Sequence, residues 1–306
     1  MPVAAIDIGT NTTRLIVAEV AGSSVEELER RTVITRLGEG VDESGVLSSA
    51  GIERVHETLS DYGEIVERLG AAPALVVATS AVRDAANGGE FLSEIEQRFG
   101  FKVRLLSGSE EALLAFRGAT LGRSLMRSVL VVDIGGGSTE LVLGDAGGPS
   151  FHISLDIGAV RLTERHLHSD PPGPAELDNC AAAVHELLIE RIPAGVRHAP
   201  TAAIGNAGTI TTIAALDQSL PAYDRDRVHG YMVTRQAVHE QLIRLAALPL
   251  AERRQVPALE PDRAPVIVAG AIVCSELLDA FGLDEIEASE LDILDGAALL
   301  AAELGS

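Results

Sequence analysis

Two segments of the chain are versions of one phrase: Asp7–Val17 reads DIGTNTTRLIV and Asp133–Leu143 reads DIGGGSTELVL. Each follows an apolar run, Val3–Ile6 or Val129–Val132, and opens on Asp-Ile-Gly. Each then passes through small polar residues into a second apolar run, with Arg14 at the position matched by Glu140. The pattern predicts two β-hairpins, each with an acid at the end of its first strand and a tight polar turn beyond it. Glycine permits such a turn and a close approach to the backbone. Successive N–H groups in it form an anion nest, and the aspartate can hold a cation directly or through water. A duplicated nest with an acid in each copy predicts two lobes closing on a phosphate–metal pair.

The rest of the pattern is mixed α/β and repeats once. Val3–Ile8, Thr13–Val20 and a run around Thr32–Arg36 read as an antiparallel meander. Ser48–Leu69 follows as a helix with Ser48 or Ser49 as N-cap. Ala74–Ala78 and Lys102–Leu106 read as strands. Ala81–Arg98, broken at Asn87-Gly88-Gly89, and Ser109–Leu121 read as helices. A second meander starts at Ser128, with its third strand near Phe151–Leu155. Helix Pro174–Arg191, strand Thr201–Gly205 and helix Thr209–Asp217 come next, then helices over Thr234–Leu248, Pro261–Phe281 and Leu294–Leu304. The boundary falls near Gly122, giving lobes over 1–120 and 121–306. The acidic stretch Glu285–Asp295 reads as a solvated face, and His166 and His168 as surface histidines.

Charge narrows the function. The formal net charge is −21, from 45 acidic and 24 basic residues, and Lys102 is the single lysine. A nucleic-acid or membrane-surface binder would need a basic footprint. A lysine-based P-loop has no GxxxxGK[ST] pattern to rest on. Phosphate must therefore be held by arginine forks, backbone amides or a divalent cation. No apolar run approaches the length of a membrane span, and no charged-then-apolar leader is present. A cytoplasmic protein with reduced structural cysteines, Cys180 and Cys274, is expected.

Several of these segments together resemble one family. AIDIGTNTTRLIV, RLGEGVDESGVL, ATSAVRDAANGGEFL, LLSGSEEALLAFRGA, VVDIGGGSTELVLG and IGNAGTITTIAAL stand in the order of the exopolyphosphatase/guanosine pentaphosphate phosphohydrolase (Ppx/GppA) motifs, over residues 4–216. The resemblance implies an α/β fold of the actin/heat-shock/sugar-kinase superfamily: two ribonuclease-H-like lobes with an active site in the cleft between them. It also implies the short form of the family, without the added C-terminal helical domains of long relatives. A final helix that crosses back onto the first lobe is a further feature of that fold.

The motifs supply the candidate residues. Gly9, Thr10, Asn11 and Thr12 in one turn, and Gly135, Gly136, Gly137, Ser138 and Thr139 in the other, offer amides and hydroxyls to phosphate oxygens. Gly208 and Thr209 sit at a strand-to-helix junction, where free N–H groups and the helix dipole favour an anion. Asp7, Asp133 and Glu140 are the metal candidates. Mg2+, or Mn2+ in its place, takes a few carboxylates with water and substrate phosphate; the competing reading is that strand-end acids cap turns. Arg83 and Asn87, four apart, would share a helix face, and Arg83 matches a family arginine that grips phosphate; Arg14 and Arg36 are weaker candidates. Glu110 and Glu111 open a helix and are not separable on the sequence alone, since one Glu at a helix start is ordinarily a dipole partner or capping-box residue. The resemblance points to Glu111 as the general base for water, with Asp133 and Glu140 beside it in catalysis.

On this reading the substrate is inorganic polyphosphate, with short chains preferred, or guanosine pentaphosphate, and the protein is a homodimer. Few aromatic side chains are present to stack a base, which tilts the reading toward polyphosphate. An ATP-dependent kinase of the same fold shares the DxG turns, and a non-catalytic polyphosphate or alarmone sensor shares the binding groups.

Overall fold

The computed structural model describes residues 1–22, 24–71 and 73–305. The chain forms two compact units, one from Met1–Arg123 with the segment from Leu291 onward, the other from Ser124–Glu290. The first unit is therefore discontinuous, and the end of the stretch read above as the second lobe belongs to it. No described helix is long and apolar enough to cross a membrane.

The first unit is built on five strands: β1 (Val3–Ile8), β2 (Thr12–Ala21), β3 (Ser24–Ile34), β4 (Leu75–Ala78) and β5 (Lys102–Leu105), in the order β3-β2-β1-β4-β5. β1, β2 and β3 pair antiparallel; β4 lies parallel to β1 and to β5. Successive side chains in a strand point to opposite faces, and both faces here are covered. Ile6, Ile8, Leu15 and Val17 pack with Val55, Leu59 and Phe91 from helices Ser49–Arg68 and Gly88–Phe99. Ala5, Ile16, Ala18 and Val77 pack on the other face with Leu114, Leu294, Ala297 and Ala298, from helices Gly108–Ala119 and Ile293–Gly305. Those two helices meet through glycine. A Cβ on Gly118 would lie 1.7 Å from the Asp292 carbonyl oxygen, and one on Gly296 would lie 2.1 Å from that of Leu114.

The second unit repeats the plan. Its strands are β6 (Val129–Ile134), β7 (Thr139–Asp145), β8 (Gly148–Leu155), β9 (Ala202–Asn206), β10 (Met232–Thr234) and β11 (Glu285–Ala288). Their order is β10-β11-β9-β6-β7-β8. Without the three-residue β10, β8-β7-β6-β9-β11 reproduces the order and strand directions of the first sheet. This is the ribonuclease-H-like arrangement, present twice. Its core is closed by helices Pro174–Arg191, Ala207–Asp217, Arg235–Ala246 and the nearly all-buried Ile267–Phe281.

The differences from the sequence reading have local causes. β3 begins at Ser24 rather than near Thr32, because most of it is exposed and its charged residues hide the strand period. Helix Ala159–His166 was not anticipated: its N-cap is Gly158, with no side-chain cap to mark it. The Asn87 break is wider than read, with helix Ser80–Asp84 ending before it. Asn87 therefore does not continue the helical face of Arg83. Its side-chain amide brackets Leu47, accepting from its N–H at 2.8 Å and donating to its carbonyl at 3.0 Å. The stretch Glu285–Asp295 is not a solvated face: it opens with β11, and Asp292 and Asp295 are buried.

Candidate active site

In the first unit the chemistry collects at the carboxyl ends of the parallel strands, where open α/β sheets bind ligands. Asp7 lies at the end of β1, paired in register with Arg14 on β2. The turn between them is closed by Gly9 N–H donating to Thr12 O at 2.9 Å. Arg14 Nε and Nη2 both donate to Asp7 Oδ2, at 3.1 and 2.6 Å, and Nη1 donates to Asp292 Oδ2. Asp7 is 3% exposed, and its Oδ1 has no hydrogen-bond partner among the described residues. Burial raises the Asp7 carboxyl above its ordinary range against the pull of Arg14, with Asp292 adding to the rise. Asp292 is buried too, but Arg14, Arg30 and the Leu294 N–H hold it below its ordinary range.

The Glu110–Glu111 pair divides here. Glu110 forms the capping box of helix Gly108–Ala119: the Ser107 N–H and hydroxyl both donate to its Oε2, and Arg104 holds Oε1. Those bonds pull it down to about 2. Glu111 is buried and accepts from Arg83 Nη1 at 2.9 Å, while the same nitrogen donates to Leu106 O at 3.0 Å. Burial pushes Glu111 up to about 7; the Arg83 bond and charge oppose the rise, the Asp7 charge adds to it, and the Thr79 hydroxyl lowers it by a hydrogen bond. A carboxyl poised there can take a proton from water at neutral pH. The S-x-x-E spacing from Ser107 to Glu110 is the local signal that separates the two acids.

In the second unit, Asp133 and Glu140 lie opposite each other at the end of β6 and start of β7, in the register that Asp7 and Arg14 occupy in the first. Both are buried, and Glu140 Oε1 accepts from Ser154 Oγ at 2.7 Å. The turn over Gly135–Ser138 is closed by Gly135 N–H to Ser138 O at 3.0 Å. The unanticipated helix Ala159–His166 steadies this turn: Ala159 N–H donates to Gly135 O and Val160 N–H to Gly136 O, at 2.9 and 2.8 Å. Thr139 is fully buried and its hydroxyl bonds the Ile157 carbonyl, so that proton is not offered to a ligand.

At the end of β9, beside Asp133 in register, Asn206 is 0% exposed with neither side-chain amide atom hydrogen-bonded. Gly208 is the second residue of helix Ala207–Asp217, and the Arg263 guanidinium rests on it: a Cβ there would lie 1.7 Å from Nη1. Thr209 is buried against Gly270.

A model of the Ppx/GppA phosphatase family matches residues 15–299, which take in the Asp133 strand end, its glycine turn and most of both units. The chain belongs to the Ppx/GppA phosphatase family. It is 40% identical to Exopolyphosphatase 2 of Mycobacterium tuberculosis over 316 aligned residues, which cover 97% of each protein. Among solved structures, an exopolyphosphatase-like protein matches with a TM-score of 0.92 at 34% identity, over 99% of this chain and 100% of the other. The Aquifex aeolicus family member matches with a TM-score of 0.83 at 31% identity, over 99% and 97%.

Within this Ppx/GppA chain the predicted divalent cation can be tested against the donors present. Among the described residues no three His, Cys, Asp or Glu side chains form a ready cage. Mg2+ does not demand one, since it binds through one or two carboxylates with water and substrate phosphate. Each unit offers donors of that chemistry: the buried Oδ1 of Asp7 in the first, and Asp133 and Glu140, opposite each other in register, in the second. The sequence reading missed Asp292, Thr79 and the committed hydroxyl of Thr139. Asp292 joins the site through Arg14, 278 positions away, and nothing local in its sequence marks that partner.

Proposed function

We infer that this chain is an exopolyphosphatase, removing the terminal phosphate of inorganic polyphosphate by attack of water. The observation that carries the reading is Glu111: a buried carboxyl, fixed by Arg83 and poised near neutrality, at the start of a helix beside Asp7. Glu111 orients a water and accepts its proton as the water oxygen bonds to the terminal phosphorus. The bridging P–O bond then breaks, releasing orthophosphate and a chain one unit shorter. Such a transfer depends chiefly on positioning and charge neutralisation. The closed turns present amides to phosphate oxygens, and Arg83 places its guanidinium next to the base. Asp7, Asp133 and Glu140 are the side chains that would hold Mg2+ or Mn2+, which when bound neutralises phosphate charge.

Short chains are the preferred substrate on this reading, because a protein of net charge −21 repels a long polyanion. The proposal extends to a homodimer in the cytoplasm; sedimentation and fractionation read those two points directly.

The deciding experiment measures orthophosphate release from short and long polyphosphate with Mg2+, in wild type and Glu111→Ala, with guanosine pentaphosphate in parallel. Stepwise release that the substitution abolishes is the expected result. Release from the nucleotide alone would replace the reading with an alarmone hydrolase. ADP-forming transfer to an acceptor would make it a kinase, and tight binding without release would make it a sensor.

A further inference from the structure

The ion pairs around Arg14 are asymmetric in a way that concerns function. Three donors of one guanidinium are divided between two acids: Nε and Nη2 converge on Asp7 Oδ2, and Nη1 reaches Asp292 Oδ2. The other oxygen of each acid has a different fate. Asp292 Oδ1 accepts the Leu294 N–H at 2.9 Å, which ties it to the start of helix Ile293–Gly305. Asp7 Oδ1 is buried and has no hydrogen-bond partner among the described residues. A buried carboxylate oxygen without a donor is costly, and a donor as versatile as arginine stands beside it. The far edge of that guanidinium is held by Asp292.

Asp292 itself is held firmly. Its N–H donates to Asp295 Oδ2 at 3.0 Å, and Asp295 Oδ1 is bound by Arg30 Nη2 from β3 at 2.7 Å. The segment is also fixed by the glycine contact, in which the Asp292 carbonyl oxygen lies over Gly118. The returning chain thus brings a rigid carboxylate to the outer side of Arg14.

We propose that Asp292 is a positioning residue: by holding Arg14 Nη1 it confines the guanidinium to Asp7 Oδ2 and leaves Asp7 Oδ1 dedicated to a divalent cation. The proposal rests on the reading of Asp7 as a cation-holding residue given above. It assigns a task to the C-terminal segment that the glycine-turn motifs do not contain. Asp292 acts through Arg14 and touches neither phosphate nor the reacting atoms.

The test is Mn2+ binding to the full-length protein, followed by electron paramagnetic resonance and calorimetry, in wild type, Asp7→Asn, Asp292→Asn, Asp292→Glu and Asp295→Asn. Thermal unfolding without metal records whether each variant is folded. Asp7→Asn is expected to abolish the site. Asp292→Asn is expected to weaken Mn2+ at least tenfold and to raise the Mg2+ concentration needed for half-maximal turnover by a similar factor, with kcat at saturating Mg2+ changed less. Asp295→Asn removes the same charge from the same network but keeps a side-chain oxygen to accept the Asp292 N–H, so its Mn2+ affinity should stay within twofold of wild type. Should Asp292→Asn fail to fold, Asp292→Glu keeps the charge while displacing the carboxylate, and should weaken Mn2+ at least threefold. Wild-type affinity in the Asp292 variants, equal losses in Asp292→Asn and Asp295→Asn, or Mn2+ binding indifferent to Asp7→Asn would each overturn the proposal. Absence of phosphate release by wild type, with the Asp292 effect on Mn2+ intact, would overturn the hydrolase reading and support this one.

Discussion

Replacing Glu111 by glutamine separates what the fold wants from what the chemistry needs. The side chain keeps its shape and can still accept from Arg83, but it can no longer ionise. In the wild type, burial raises Glu111 from its ordinary 4.5 to about 7. Each tenfold change in proton affinity is ~1.4 kcal/mol, so ionising this group in the folded chain costs about 3 kcal/mol relative to the unfolded one. The native state binds the proton more tightly. Its contribution is therefore fully present below pH 4.5 and is lost as the pH rises through 7. The neutral variant suffers no such loss. Calorimetric melting of both proteins from pH 5 to pH 8 should show similar midpoints at pH 5. By pH 8 a gap of about 6 °C should open in favour of Glu111→Gln, taking ~2 °C per kcal/mol for chains of this size. Phosphate release by the variant should be lost at every pH, while the wild-type rate should fall on acidification below 7. A melting gap that stays constant across this range, or a glutamine variant that still turns over polyphosphate, would refute the reasoning.

Other substitutions probe the supports of the site. Arg83→Met leaves Glu111 buried without its counter-charge, so the acid limb of the pH–rate profile should move to higher pH and kcat/KM should drop. Gly118→Ala places a Cβ 1.7 Å from the Asp292 carbonyl oxygen; overpacking of this kind costs about 1–3 kcal/mol or more, and the melting temperature should fall accordingly. Arg253→Met should destabilise the second unit by about 2–4 kcal/mol in denaturant titration, because the carbonyls of Leu245, Leu248 and Ala264 lose the guanidinium that satisfies them.

The sequence was most readable where structure is local. The two DIG hairpins, the Ser48 cap and helix Pro174–Arg191 all announce themselves within a few residues, and each stands where its pattern places it. Helix Ala159–His166 was silent because its first amides are satisfied by Gly135 and Gly136 carbonyls of a distant turn. Strand β11 was hidden by its glutamates: Glu285 is exposed, while Ile286 and Ala288 are the buried half of the alternation. The acids of the last segment look like solvated charge in isolation. Arg14 and Arg30, which make their burial tolerable, lie more than 250 positions earlier. The Glu110–Glu111 ambiguity was of another kind, since the capping spacing that resolves it lies in plain view.

The return of the chain to its first unit orders events in time. During synthesis, Asp7, Arg14 and the central strands leave the ribosome early, whereas Leu291 and the helix that covers one face of their sheet emerge only after the whole second unit. The intervening unit is contiguous and can close while the first still lacks a helix, in keeping with domain-wise folding during translation. Until that helix docks, Ala5, Ile16, Ala18 and Val77 lack the cover of Leu294, Ala297 and Ala298, and Arg14 lacks its Asp292 partner. A nascent chain halted before residue 291 would expose an apolar sheet face, an invitation to chaperones and proteases. Emergence of the segment after Leu291 and completion of the Asp7 environment are then the same event.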